Sequence, residues 1–342
     1  MHITSIRAAL LTFSLLALAA CGVSDELPVA AVSSRTAAVL RVSTTGFSSE
    51  SLRQSTASFT ARLAKSSIPQ LAAGADALTQ QSSDLDPATN DDMKQLDDSM
   101  SSLRAIGAKA ICLIADDSAM GSMPDSYSAQ SLAQPGVMIL VQTTSTGSAD
   151  DVQAVISKLF ESSVVVEHLG KGWYWIKAQP TQTLPSVPDL VGAQQLQSAL
   201  TALPPATIAF AMRVTPEVKT ACEQAFEADD SGMMMFFGSL VEPLRDLTAL
   251  SGTVEFGPKP TVRAAMRFGK NESAAAFNSA WATTTKSVFS MVGMMAAGGG
   301  KKGEPKVDPK TFSNMATALA MTQNESTLMM TLDDGAWAKL IP

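Results

Sequence analysis

The stretch Ala206-Thr-Ile-Ala-Phe-Ala-Met-Arg-Val214 decides how this chain of 342 residues is read. It has the composition of a strand, and Pro216 and a helix follow it. Near the start of the chain, Ala37 to Thr44 (AAVLRVST) is also a strand, and Phe47 and a helix follow it. The second half of the sequence therefore looks like a fresh start of the first.

The elements on either side agree in order. In the first half, a helix carrying Leu52, Phe59 and Leu63 precedes a second helix opened by Asp86-Pro87. The apolar positions of that second helix, Met93, Leu96, Met100 and Leu103, recur at helical spacing, and Gly107 is placed to end it. Strands Lys109 to Ala115 and Gly136 to Thr143 follow, then a helix through Val152, Ile156 and Phe160. A hairpin, Ser163 to Leu169 and Trp173 to Ala178, closes about Gly170-Lys171-Gly172. In the second half, a helical region at Phe236 to Leu250, containing Leu240, Leu244 and Leu247, leads to strands Gly252 to Phe256 and Thr261 to Phe268, joined by Gly257-Pro-Lys-Pro260. A helix with Phe277, Trp281, Val288 and Val292 comes next, and a pair, Ala318 to Thr322 and Ser326 to Leu332, ends the run.

The fold class expected is α+β: two tandem copies of a mixed or antiparallel sheet module with helices packed on one face. The boundaries are a leader at 1–20, a tether at 21–35, module one at 36–180, a Pro-rich linker and helix at 181–204, and module two at 205–342. A single α+β domain whose alternation mimics repetition has the same element order.

Composition narrows the function classes. The chain is 46% hydrophobic and 17% charged, which argues for folded cores rather than disorder. A net charge of −7 speaks against nucleic acid as a partner, since phosphate binding needs a basic face.

The N-terminus reads as an address. A positive start through Arg7 precedes the apolar run Ala8 to Ala20, which is too short to span a membrane and has the build of a signal peptide. Its end, Leu18-Ala19-Ala20-Cys21, resembles the lipobox of bacterial lipoproteins. The resemblance implies cleavage before Cys21, acylation of its thiol and amino group, and membrane lipid as a partner through that anchor; several buried acyl chains hold durably. Because Gly22 stands where an inner-membrane retention Asp would stand, the resemblance further implies the outer membrane, on its periplasmic side.

Candidate chemical sites are few. Ile111-Cys-Leu-Ile-Ala-Asp116-Asp117-Ser118-Ala119-Met120 resembles the D-x-S-x-S start of the metal site in von Willebrand A domains, but Met120 stands where the second Ser is needed. Gly298-Gly-Gly-Lys-Lys-Gly303 lacks Walker spacing and reads as a polar excursion. His168, the one histidine of the mature chain, reads as an exposed strand residue with Glu167 facing the other way. Cys112 and Cys222 sit in apolar surroundings that suit buried thiols, and a bridge between them would clasp the two modules. The methionines at Met233 to Met235, Met291, Met294, Met295, Met329 and Met330 suit flexible apolar packing or an adaptable binding face better than copper. Trp173, Tyr174 and Trp175 read first as core, with an apolar binding face as the second reading.

No metal, cofactor or catalytic set is expected. The leading expectation is a non-catalytic, lipid-anchored envelope protein that binds an apolar ligand or an envelope protein partner. The alternative is a periplasmic hydrolase using scattered carboxylates or a metal, in which Asp116, Asp117 or His168 would converge with other acidic groups in one cleft.

Overall fold

The computed structural model describes residues 26–68, 71–72, 74–75, 78–79, 85–120, 136–144, 148–159, 163–177, 179–220, 234–298 and 309–342. Cys21, Cys222, Met233 and the Gly-Lys run after Gly298 lie outside them. The fold is α+β. Ten strands, β1 (Thr36–Ser43), β2 (Ala108–Asp116), β3 (Val137–Thr143), β4 (Val165–Gly170), β5 (Trp173–Lys177), β6 (Ile208–Arg213), β7 (Leu247–Glu255), β8 (Thr261–Phe268), β9 (Thr322–Asn324) and β10 (Thr327–Leu332), form one sheet. The order is β4-β5-β3-β2-β1-β6-β7-β8-β10-β9, and every neighbouring pair is antiparallel.

The stretch at Ala206 to Val214 supplies the centre of this sheet. β6 pairs with β1 from Val42 opposite Ile208 to Ala38 opposite Met212. The two expected sheets are thus the halves of one, joined by a backbone ladder. Outward from that seam, the halves run β1-β2-β3-β5-β4 and β6-β7-β8-β10-β9, with the last two strands reversed in each.

The main helices are α1 (Ser49–Leu63), α2 (Asp91–Ala105), α3 (Asp117–Met120), α4 (Ala149–Leu159), α5 (Leu190–Thr201), α6 (Met234–Leu244), α7 (Asn271–Gly298), α8 (Pro309–Ala318) and α9 (Asp334–Leu340). Among the described residues, no helix is long and apolar enough to cross a membrane. Strand alternation places Leu40, Val42, Ile111, Ile139, Val141, Tyr174, Ile176 and Ile208 on one face, and there α1, α2 and α4 pack through Leu52, Met100, Leu103, Val152 and Ile156. On the same face of the other half, α6 and α7 bring Leu240, Ala274 and Phe277 against Leu328 and Phe268.

Not every helix shares that face. The linker helix α5 covers the opposite side at the seam, where Ala193, Leu196 and Leu200 meet Val39, Ala209 and Ala211. The small residues of β6 on that side leave room for a helix. The second half of the stretch expected as a tether is packed there too: Leu27, Ala31 and Val32 are buried, and Leu27 N–H donates to Gln197 Oε1 at 3.1 Å.

One side chain ties these parts together. Arg213, at the end of β6, donates from Nη1 to Asp189 Oδ2 at 2.7 Å and from Nη2 to the carbonyls of Ser33 at 2.8 Å and Ser34 at 2.5 Å. Its Nε reaches the carbonyl of Thr36. Asp189 caps α5 by accepting from Gly192 N–H, and that bond, with the Arg213 guanidinium, holds its carboxyl below the usual carboxylate range. A carboxylate favoured in the fold stabilises it above the ordinary value of about 3.9, and the contribution is lost as pH falls through the lower folded value. Asp189→Asn is therefore expected to flatten the acid limb of a stability-against-pH curve below about pH 4, as read by denaturant midpoints.

Several element boundaries differ from expectation. Asp86 makes a turn, accepting from Thr89 and Asn90 N–H, and α2 starts after the Asn90 cap. The helix expected to reach Leu250 stops at Leu244, just past Pro243, and the chain is already strand at Leu247, which pairs with Phe268. Ala318 ends α8 instead of starting a strand, so the closing hairpin has a first arm of three residues. The terminal helix α9, capped by Asp333, was not foreseen.

Candidate functional site

An apolar concavity lies on the helical face of the C-terminal half. Its floor is made by alternate residues of four strands: Phe210 on β6, Leu250 on β7, Ala264 and Met266 on β8, and Leu328 and Met330 on β10. Its roof is Leu240, Val241 and Leu244 of α6 with Phe277 and Trp281 of α7, and Met321 closes one side. The cavity measures ≈ 410 Å³, within the roughly 300–1,000 Å³ usual for small-molecule sites.

The lining is almost entirely carbon and sulfur. Among its side chains, only Ser251 and Trp281 carry an N–H or O–H, and the Trp281 indole donates to Leu319 carbonyl at 2.8 Å. That bond orients the ring beside the cavity. Phe277 stacks on Trp281 at 6.3 Å between centroids with 11° between planes. Met266, Met321 and Met330 are the adjustable part of the wall, since an unbranched thioether changes shape at small cost.

Gly252 sets the position of Phe210. The Phe210 ring lies over Gly252, and a methyl group at that position would overlap the ring. Phe210 is 40% exposed, an unusual state for a large aromatic in a central strand. Gly252→Val is expected to push the ring into the cavity and to weaken apolar-probe binding several-fold, checked by fluorescence titration.

The residues singled out from sequence fall elsewhere. Asp116 ends β2 and accepts from Thr36 Oγ1 at 3.2 Å; burial pushes its carboxyl up. The neighbouring Asp117 accepts from Arg35 Nε at 3.1 Å and Nη2 at 2.9 Å. His168 is exposed on the edge strand β4, its ring 4.8 Å from that of Tyr174. β5 and β3 separate β4 from β2, a span of roughly 14 Å at the usual strand spacing, so His168 and Asp116 do not converge. Glu167 points the other way and bonds Lys177 Nζ at 3.1 Å. Among the described residues, no group of three His, Cys, Asp or Glu is arranged to hold a metal.

The aromatic strand is core. Trp173, Tyr174 and Trp175 are 2%, 6% and 3% exposed, which removes them as a surface for a ligand. Cys112 is fully buried beneath α5, and burial pushes its thiol up to about 12. In a Cys222→Ser background, Cys112 is expected to stay unmodified by an aromatic disulfide reagent at pH 8 until denaturant is added, because the thiolate is the reactive form.

Of the pocket residues, the sequence pointed only to Met330 and, as helix-face positions, to Phe277, Trp281, Leu240 and Leu244. The floor residues Phe210, Ala264 and Met266 read only as strand, and Leu250 reads as the end of a helix. The excess of methionine was the one signal that touched the site, and Met266 and Met321 belong to it although neither lies in a methionine cluster. Comparison with family models, curated proteins and solved structures finds no match.

Proposed function

We propose that this chain is a lipid-anchored envelope protein that binds an apolar ligand, without catalysis, in the pocket between the sheet and helices α6 and α7. One observation carries the reading: a cavity of ≈ 410 Å³ lined by apolar side chains except for Ser251 and for Trp281, whose indole N–H is engaged by the Leu319 carbonyl. Such a site gains by removing carbon surface from water, about 25 cal/mol per Å² buried, and has nothing with which to orient a charged reacting centre. The ligand class is a hydrocarbon chain or ring system whose polar end remains outside.

The lipobox at Leu18 to Cys21 supports anchoring through acylated Cys21, and Gly22 supports the outer membrane on its periplasmic side. The repeated strand order of the two halves supports descent from one duplicated unit. The hydrolase alternative has less behind it, since Asp116 and Asp117 are engaged by Thr36 and Arg35, away from His168.

The test is titration with N-phenyl-1-naphthylamine, a neutral apolar fluorophore, followed by displacement with palmitate. Ala264 sits on the cavity floor, and Ala264→Trp is expected to fill it and to weaken binding at least tenfold while the thermal midpoint holds or rises. Probe saturation at 100 times its dissociation constant should stabilise the wild type by about 2.7 kcal/mol. Absence of saturable binding, or equal binding by Ala264→Trp, would reject the reading.

A further inference from the structure

We propose that the protein stands end-on to the membrane, with the β4–β5 turn at Gly170-Lys171-Gly172 against the lipid headgroups and the start of α5 pointing away. This rests on the reading of Cys21 as the acylated residue; the orientation itself comes from where the packed chain begins.

The segment from Leu27 to Ser34 is held along its whole length. Leu27 N–H bonds Gln197 near the far end of α5, Val32 carbonyl accepts from Asp189 N–H at 2.8 Å at the near end, and Arg213 grips the carbonyls of Ser33 and Ser34. Ala31 and Val32 are 1% and 0% exposed. The segment therefore runs antiparallel to α5 and leaves the body at the end of the sheet where the β4–β5 turn lies. Glu26 and Lys171 meet there, Lys171 Nζ 3.4 Å from Glu26 Oε2, and Lys171 is 83% exposed. The same end holds Thr143, whose N–H donates to Gly172 carbonyl, and Thr44, whose N–H donates to Lys109 carbonyl.

Cys21 and Glu26 are five peptide steps apart. At roughly 3.3–3.6 Å per extended residue, the anchor lies within about 18 Å of Glu26. β1 alone has eight residues, a length of about 25 Å, so the leash is shorter than the sheet. Acyl chains on Cys21 consequently hold the Lys171 end near the headgroups.

The opposite end carries the exposed apolar residues that a reading by hydrophobicity alone would put into the membrane. Val187, Leu190 and Val191 are 75%, 55% and 62% exposed at the start of α5, beside Asp189 and Arg213. The packed N-terminal segment places them away from the lipid.

Lys171→Cys and Val187→Cys, each in a Cys222→Ser background, are to be purified as full chains from the membranes of a Gram-negative host. Each is labelled with bimane and reconstituted into phosphatidylethanolamine–phosphatidylglycerol vesicles containing a nitroxide-headgroup lipid. The expected result is quenching at position 171 at least threefold greater than at 187. Equal quenching, or stronger quenching at 187, overturns the orientation while leaving the anchor in place. Intact-mass measurement on the same samples separates the two readings: without the acyl mass on Cys21, both the anchor and the orientation fail.

Discussion

Trp173→Ala is expected to cost about 3–5 kcal/mol of folding free energy, the range for deleting a fully buried large aromatic. Trp173 is 2% exposed at the start of β5 and belongs to the cluster formed with Leu140, Cys112, Leu196, Ala31 and Val32. That cluster joins the sheet, α5 and the N-terminal segment, so a cavity there loosens three parts at once. A domain stable by about 5–15 kcal/mol would lose a large share of its margin. Denaturant unfolding should show a lowered midpoint with little change in slope, whereas Val187→Ala, at a position 75% exposed, should stay within about 0.5 kcal/mol of wild type. A small effect at Trp173 would mean that the strand is a surface and would reopen it as a binding face.

The sequence carried most of the strands because their apolar runs are long and bounded by clear turns. Thr261 to Phe268 matches β8 residue for residue, and the hairpin about Lys171 is confirmed by positive φ at Gly170, Lys171 and Gly172. Boundaries failed where one apolar residue serves two periods. Leu240, Leu244 and Leu247 fit one helical stripe, yet Leu247 is held in β7 by Phe268 of β8, a partner 21 positions on. The seam was legible only as a second beginning. Which strands meet across it depends on backbone ladders, and those leave no mark in side-chain pattern. The packed N-terminal segment was missed for a related reason: Gly22 to Ser34 has no periodicity, and the partners that bury Leu27, Ala31 and Val32 belong to a cluster drawn from residues far along the chain. The pocket was the least legible part. Its floor is one or two residues from each of four strands, spread from Phe210 to Met330, and no local stretch contains enough of it to read as a site.

Ala211→Pro tests the seam and is expected to have the largest effect of any single change in the sheet. Ala211 is fully buried in β6, opposite Val39 of β1 on one side and Ser251 of β7 on the other. Proline removes the N–H that a central strand must donate, and its ring has no space between paired neighbours. The partner carbonyl left without a donor costs about 1–3 kcal/mol by itself, before the lost packing is added. Because β1 and β6 join the halves of the sheet, the damage tells whether those halves are energetically separate. Further contacts bridge them on the helical face: Ser55 Oγ accepts from Gly257 N–H at 2.7 Å, and Phe59 packs edge-on against Trp337 at 4.7 Å. The two halves are therefore expected to unfold as one unit. Trp173 and Trp175 report on the first half, and Trp281 and Trp337 on the second. In variants retaining only Trp175 or only Trp281, the denaturant transitions should coincide, and Ala211→Pro should shift both to lower denaturant together or abolish both. Two separated transitions, with only one moved by the proline, would show instead that each half holds its own fold and that the ladder between β1 and β6 merely docks them.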